Sequence, residues 1–327
     1  MTLLVITVVV ALAFDFTNGF HDTANAVATS VSTRALSPRL AVLIAAIANL
    51  GGAFVTTAVA TTVGKGVIAS GLATPHTVLA AVLGAIAWNL FTWWLGLPSS
   101  SSHALIGGLV GAALAQSGDK GVQWHGLAHK VVLPAVWSPA IAFVAAFGLL
   151  LAIYWAFQWL TPGLANRSFR YGQLASGTWV AFTHGANDAQ KTMGVIALAL
   201  YAHGSIATFY IPTWVKIAAA VSIGAGTYAG GWRIMRTLGQ RVFKIDPPAG
   251  FAAQASAGAV IFVSTRYGYP LSTTHVVSGA VMGSGATRRL SAVRWGVAGN
   301  IVFAWVLTIP AAALVAAVLW FPVKAIF

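Results

Sequence analysis

The stretch Phe14-Asp15-Phe16-Thr17-Asn18-Gly19-Phe20-His21-Asp22-Thr23-Ala24-Asn25 lies inside an otherwise apolar segment that runs from Thr2 to about Val31. Two acids, two asparagines and a histidine at that depth are costly to bury without partners. A glycine among short polar side chains suits a helix that breaks where it borders a polar cavity. The stretch therefore predicts a membrane span with a broken helix and a functional site.

This stretch has a second copy later in the chain, Phe182-Thr183-His184-Gly185-Ala186-Asn187-Asp188-Ala189-Gln190-Lys191. A second pair of motifs also recurs, Leu97-Pro98-Ser99-Ser100-Ser101-Ser102-His103 and Tyr269-Pro270-Leu271-Ser272-Thr273-Thr274-His275. The two kinds of motif come in the same order at similar spacing, which indicates duplication. We predict a first repeat at 1–160, a linker at 161–172 and a second repeat at 173–327.

The composition indicates a membrane protein. The chain has 327 residues, of which 58% are hydrophobic and 7% charged, whereas soluble domains carry about 25% charged residues. We predict an all-α polytopic membrane protein with about ten to twelve transmembrane helices and re-entrant hairpins. The apolar runs are roughly 2–33, 40–63, 75–97, 98–114, 131–160, 174–200, 212–232, 250–266, 270–286 and 295–321. The short runs after Pro98 and Pro270 suit re-entrant hairpins or half-helices.

Charge and cysteine content narrow the function classes. The net charge is +13, which we attribute to basic cytoplasmic loops and not to nucleic-acid binding. The distribution of Lys and Arg residues among the loops, with the densest cluster at Arg233 to Lys244, predicts that both termini lie outside the cell membrane. The two copies of the first motif then run in opposite directions, as inverted-topology repeats require. The chain has no cysteine, which excludes disulfides and thiolate metal sites.

The hydroxyl runs are candidates for an anion site. A proline ends one backbone segment before each run, and the residues after it open a helix with free N–H groups. Two such helix starts, brought together by pseudo-symmetry, would offer N–H groups, hydroxyls and positive dipole ends to an anion. The candidate residues are Ser100, Ser101, Ser102, Ser272, Thr273 and Thr274. The alternative is that these hydroxyls only cap their own helices.

The intramembrane acids indicate a cation or a proton. Asp22 and Asp188, with Asn25 and Asn187, could ligate Na⁺ or another hard cation through oxygen atoms, or the acids could carry a proton. Asp15 is open to a proton-binding role or to a structural role satisfied by local hydroxyls. An anion that carries its own proton can donate to a carboxylate, which favours phosphate over sulfate.

Three further polar residues have open roles. His103 and His275 could move protons or contact the anion, or each could bond a backbone carbonyl and hold its helix in place. Lys191 aligns with Asn25 and lies three residues after Asp188, on the same helical face. We predict that Lys191 either binds phosphate or occupies the place of a coupling cation in the second half.

At these motifs the chain resembles the inorganic phosphate transporter (PiT) family, in its bacterial low-affinity form. The stretches at 18–29, 185–191 and 270–275 carry the resemblance. It implies an inverted-repeat fold, a homodimeric assembly, and symport of phosphate in a bacterial plasma membrane. It also implies H⁺ coupling and a neutral metal–phosphate complex, with Mg²⁺ or another divalent cation, as the carried species. It implies no resident cofactor.

The chain departs from the Na⁺-coupled members of that family at three positions. Those members have Asn where this chain has Lys191, and Glu where it has Asn49 and Gln254. Each change weakens a cation site in a low-dielectric pocket, so we expect H⁺ coupling. The alternatives are Na⁺ coupling, another oxyanion such as sulfate, a membrane-embedded hydrolase, and a structural or regulatory membrane protein. The duplication argues against a hydrolase, since one catalytic centre does not need inverted copies.

Overall fold

The chain is almost entirely helical, which confirms the all-α prediction. A computed structural model describes residues 1–327, apart from the side chains of Trp232, Arg236 and Gln240. The described backbone forms twelve α-helices: α1 (Thr2–Ser32), α2 (Pro38–Gly52), α3 (Ala58–Gly66), α4 (Pro75–Leu95), α5 (Ser101–Ser117), α6 (Trp124–Ala156), α7 (Pro162–Ala202), α8 (Thr213–Ala229), α9 (Trp232–Arg236), α10 (Pro247–Arg266), α11 (Thr273–Ala286) and α12 (Trp295–Ile326). Within α6, Ala128–Val132 is π-helical.

Helix boundaries follow from local chemistry. Helices α2, α4, α7 and α10 have proline in the first turn, where its missing N–H costs nothing. Thr74 caps α4 by accepting a hydrogen bond from the Thr77 amide. Helix α4 ends at Gly96, whose φ of 68° is a left-handed conformation that suits glycine.

Helix length separates spanning helices from shorter ones. In the described part of the chain, α1, α4, α6 and α12 are long and apolar enough to cross a membrane. Helices α5 and α11 have 17 and 14 residues, and at 1.5 Å per residue they fall short of a hydrocarbon core about 30 Å thick. Both follow the proline motifs, so their shortness agrees with the half-helices predicted there.

Three sequence-based expectations are corrected. The predicted helix break is wrong, because α1 and α7 are continuous through Asp22 and Asp188. The run at 40–63 is two helices, α2 and α3, and not one span. The segment 161–172, predicted as a linker, is helical from Pro162 onward, and Phe169, which packs on Phe157 and Phe251, is its one buried residue.

The glycines of the two motifs serve close packing and do not mark helix breaks. A Cβ on Gly19 would overlap the backbone of α8 at Ile223, and a Cβ on Gly185 would overlap the backbone of α2 at Asn49. Small residues of this kind let helix backbones approach closely in membranes. Because a continuous helix satisfies its own backbone, the polar side chains need only partners on facing helices.

The packing pairs residues 1–160 with residues 162–327 in a reciprocal pattern. Helix α12 packs on α4 and α5, and α6 packs in the same way on α10 and α11. Helix α1 packs on α8, as α7 packs on α2. Helices α1 and α7 also contact each other, antiparallel, since Asp22 lies near His184 while Asp15 lies near Thr192. The sixth helix of each half therefore packs against the fourth and fifth helices of the other half.

Two apolar clusters lie on either side of a polar layer. One cluster includes Phe14 and Ile196, and the other includes Val27 and Val180. Between them, residues 15–23 of α1 and 182–188 of α7 are mostly polar and buried. The fold therefore places both copies of the first motif in one enclosed layer, partway along the two central helices.

Candidate functional site

The polar layer is centred on the two aspartates. Asp22 and Asp188 are buried, and His184 lies between them. The Nε2 atom of His184 is 3.3 Å from Asp188 Oδ2 and 3.9 Å from Asp22 Oδ2. Asp22 Oδ1 is also 2.6 Å from His21 Nδ1. The structure thus brings the two predicted acids together across the α1–α7 crossing.

The second hydroxyl run faces both acids. Thr274 donates a hydrogen bond to Asp22 Oδ1 and Thr273 donates one to Asp188 Oδ2, each at 3.4 Å. Asn25 Nδ2 donates to Thr274 Oγ1 at 2.9 Å. Ser272 has a different task, since its hydroxyl oxygen caps α11 by accepting a bond from the His275 amide. The hydroxyls that the sequence predicts to bind an anion therefore lie beside the two acids.

The first hydroxyl run reaches the same layer from the other side. Ser101 Oγ lies 3.4 Å from His21 Nδ1, and Ser102 Oγ accepts a hydrogen bond from Lys191 at 2.6 Å. Ser100 caps α5 through the His103 amide, as Ser272 caps α11. The predicted alternative, capping, thus holds for one residue of each run, and the other hydroxyls point at groups on α1 and α7.

Lys191 is buried with all three of its N–H donors in use. Its Nζ atom donates to Asp188 Oδ1 at 2.5 Å, to Ser102 Oγ at 2.6 Å and to the Leu271 carbonyl at 2.8 Å. An ammonium has three donors and no acceptor, so these contacts satisfy it. In this arrangement Lys191 neutralises Asp188 and links α7 to α5 and to Leu271, two residues before α11.

Several buried acceptor atoms have no hydrogen-bond partner among the described residues. Asn25 Oδ1, Asn187 Oδ1 and Asn18 Oδ1 belong to this set. Asn187 uses its Nδ2 atom to bond Thr265 and the Tyr269 carbonyl, at 2.8 and 3.1 Å. Carbonyl-type oxygens of this kind suit a hard cation or a hydrogen-bond donor. The oxygen chemistry near Asp22 and Asp188 therefore fits the predicted coupling-ion or metal role.

His103 and His275 lie together, apart from the acids. Their rings pack edge to face with centroids 4.6 Å apart, and His275 stacks on Trp305 at 4.0 Å. Both histidines line an apolar cavity of about 360 Å³ between α6 and α12. Neither ring nitrogen of His275 has a partner among the described residues. The pair joins α5 to α11 by stacking, and its role in proton movement stays a prediction.

Asp15 is on the same helix as Asp22 but has other partners. Its Oδ1 atom accepts a hydrogen bond from Thr192 Oγ1 at 2.9 Å. Its Oδ2 atom has no partner in the described part of the chain. The local hydroxyl that the structural alternative requires is thus present, and it satisfies one carboxyl oxygen of the two.

Sequence reasoning did not assign roles to two histidines in this site. His21 and His184 do not align with each other between the repeats, since His21 aligns with Asn187 and His184 with Asn18. Yet both contact Asp22, and His184 Nδ1 is 2.8 Å from Asn49 Oδ1. The signal that could have found them is their ionisable character inside an apolar segment.

A continuous-helix bundle with an occluded layer of acids, an ammonium and hydroxyls on two half-helix starts is the architecture of a membrane transporter. The sequence profile described as "Phosphate transporter family" matches residues 18–316. The chain therefore belongs to this family of multi-pass membrane proteins, also called the PiT family. It is a transporter-family member and not an enzyme, as predicted.

Similar proteins come from several bacteria. The chain is 53% identical, over 96% of its length and 76% of the relative's, to a probable low-affinity inorganic phosphate transporter of Mycobacterium bovis. It is 50% identical to one of Rhizobium meliloti, covering 98% and 96% of the two chains, and 43% identical to one of Bacillus subtilis, covering 100% and 99%. A solved structure described as the sodium-dependent phosphate transporter matches with a TM-score of 0.90 at 26% identity, covering 100% of each chain.

Proposed function

We propose that this protein carries inorganic phosphate across a bacterial plasma membrane by symport with protons. The proposed anion site lies between the starts of α5 and α11, which offer hydroxyls and the positive ends of helix dipoles. Ser101, Ser102, Thr273 and Thr274 supply hydroxyls within the layer that holds Asp22 and Asp188. Phosphate suits acids nearby because it can donate its own proton to a carboxylate, which sulfate cannot do near neutral pH.

The preference for protons over Na⁺ depends on one observation, the coordination of Lys191. Its ammonium is bound by a carboxylate, a hydroxyl and a backbone carbonyl. These are the oxygen types that bind hard cations in proteins. A charge that is covalently tethered there cannot be exchanged for a dissolved ion. We infer that the second half keeps its own cation and that the first half, which carries Asp15, Asp22 and Asn25, handles the exchangeable coupling ion.

The reciprocal packing supports alternating access by two inverted-topology repeats. Six helices precede residue 160 and six follow it, and the main helix contacts of one half recur in the other with the partners exchanged. Rocking of one half against the other would expose the polar layer to each side in turn. With this topology we also propose the predicted orientation, with both termini outside, and a homodimeric assembly in the lipid bilayer.

Two observations each favour a variant of the proposal that differs in the cation. The structural match to a sodium-dependent transporter keeps Na⁺ as the alternative coupling ion. The ligand atoms of Asp22, His184 and Asp188 lie within 4.8 Å of one another, which suits a divalent cation that accompanies phosphate as a metal–phosphate complex. Both variants use the same phosphate site and differ only in the cation.

Uptake of radiolabelled phosphate into proteoliposomes tests the proposal. We expect accumulation driven by an inward pH gradient, with no requirement for Na⁺, and inhibition by a protonophore. Uptake that follows Na⁺ at constant pH and ignores the protonophore would refute proton coupling. Competition by unlabelled sulfate that equals competition by phosphate would refute the substrate assignment. Adding Mg²⁺ or a chelator at fixed phosphate concentration shows whether the metal complex is the carried species.

A further inference from the structure

Asp15 is a buried acid that the proposed phosphate site does not use. It is fully buried near the middle of α1, and its single hydrogen-bond donor among the described residues is the neutral hydroxyl of Thr192. A carboxylate buried with one neutral donor is strongly disfavoured relative to the protonated acid. Binding a proton would remove this uncompensated buried charge.

The titratable groups around Asp15 come from one helix. Asp188, His184 and Lys191 of α7 are the ionisable neighbours of its carboxyl group. Among the described side chains of the other helices that contact α1, most titratable residues stand at helix ends, namely Arg39, His76, Lys216, Tyr228, Arg233 and Arg266. His103 and His275 lie instead in the stacked pair at the α6–α12 cavity. Lys191 and, when protonated, His184 thus provide the nearby positive charge, and both contact Asp188.

The position of Asp15 connects it to the site without making it part of the site. It precedes Asp22 by seven residues, which is two helical turns and about 10 Å along α1. Its partner Thr192 follows Lys191 directly. The repeat-equivalent positions are Ala181 for Asp15 and Ala26 for Thr192. Like Lys191, Asp15 therefore has no equivalent in the other repeat, and the fold that the two repeats share does not require it.

We propose that Asp15 is the residue that binds the co-transported proton, an inference that rests on the proposed proton-coupled function. The proton moves from water on one side of the membrane to a carboxylate oxygen of Asp15 and stays there while the layer is occluded. It leaves to water on the other side when the opposite conformation hydrates the carboxyl group. The charge on Lys191 is constant throughout, so the exchangeable charge is the one on Asp15.

The test compares Asp15→Asn with the purified wild-type protein in proteoliposomes that contain a pH-sensitive dye. Asparagine keeps an acceptor for Thr192 but cannot release a proton. We expect this variant to exchange labelled for unlabelled phosphate at equal pH, to lose accumulation driven by a pH gradient, and to lose phosphate-driven proton flux. Asp15→Glu should regain proton flux. Thr7→Val, which alters a buried hydroxyl on the same helix, should keep both activities.

The outcomes separate this inference from the proposed function. If the wild-type protein shows no phosphate-driven proton flux, proton coupling itself fails. If the wild-type protein shows proton flux and Asp15→Asn shows the same flux, only the assignment to Asp15 is overturned. If Asp15→Asn does not yield folded protein, the pH profile of exchange by Asp15→Glu decides. A profile displaced from that of the wild type supports the inference, and an identical profile refutes it.

Discussion

Helices α1 and α7 occupy equivalent places in the two repeats but carry different charged residues. On α1, Asp22 is followed three residues later by Asn25, whose Oδ1 atom has no partner among the described residues. On α7, Asp188 is followed at the same spacing by Lys191, whose ammonium is fully bonded. The difference shows how a duplicated scaffold can specialise: one half leaves an acceptor oxygen without a partner beside Asp22, and the other has a tethered ammonium beside Asp188.

Replacing each aspartate separately should produce the largest difference between the halves. Asp188→Asn leaves the Lys191 ammonium buried without a counter-charge, a change that costs about 3–5 kcal/mol when a buried pair is broken. We expect loss of folded protein in detergent as well as loss of uptake. Asp22→Asn should abolish uptake but leave folded protein, because no buried ammonium depends on it. Equal yields of the two variants by size-exclusion chromatography would contradict this.

Lys191→Asn should make the second half resemble the first. In Na⁺-free medium the loss of charged hydrogen bonds, each about 1.5–3 kcal/mol, should reduce phosphate uptake about tenfold or more. Added Na⁺ should restore part of it, since Asp188 and an asparagine oxygen could then bind the ion. Lys191→Met is the control, because it fills similar space without an amide oxygen. Na⁺ stimulation of both variants, or of neither, would argue against the tethered-cation interpretation.

The close helix crossings, unlike the charged residues, should respond equally to substitution in the two halves. Gly52→Ala places a Cβ against the α7 backbone at Phe182, and Gly226→Ala places one against the α1 backbone at Phe16. Overpacking of this kind costs about 1–3 kcal/mol, so both should lower the thermal unfolding temperature in detergent by similar amounts. Gly51→Ala is the matched control, because a Cβ there meets open space. Unequal losses at the two crossings would show that the crossings themselves have diverged.

The smallest expected effect lies in the second hydroxyl run. Thr274→Val removes a donor to Asp22 and the acceptor for Asn25, whereas Thr273→Val removes only a donor to Asp188. A net hydrogen bond is worth about 0.5–1.5 kcal/mol. We therefore expect Thr274→Val to raise the phosphate concentration for half-maximal uptake more than Thr273→Val does. The reverse order would place the anion nearer to Asp188.

Sequence reasoning predicted which polar residues would come together in the fold, but not most of their hydrogen-bond partners. The alignment of Asp22 with Asp188, and the proline-hydroxyl motifs, predicted which residues the fold would bring together. Sequence reasoning did not predict that the two helices are continuous. Gly19 allows close packing against α8, and the polar side chains bond residues on facing helices that are distant in sequence. His184 was missed for the same reason. Its role depends on lying between two acids, one on its own helix and one on α1.

Because the sixth helix of each half packs on the other half, the order of synthesis limits when the helices can assemble. Helix α5 is translated early, but its main packing partner, α12, begins only at Trp295. Helix α1 likewise enters the bilayer with two aspartates, each costing about 2.5–3.5 kcal/mol at the centre of a lone helix, long before His184 and Thr192 exist. The packing of α5 on α12 and the contacts of Asp15 and Asp22 with α7 therefore form only after those later helices have been synthesised.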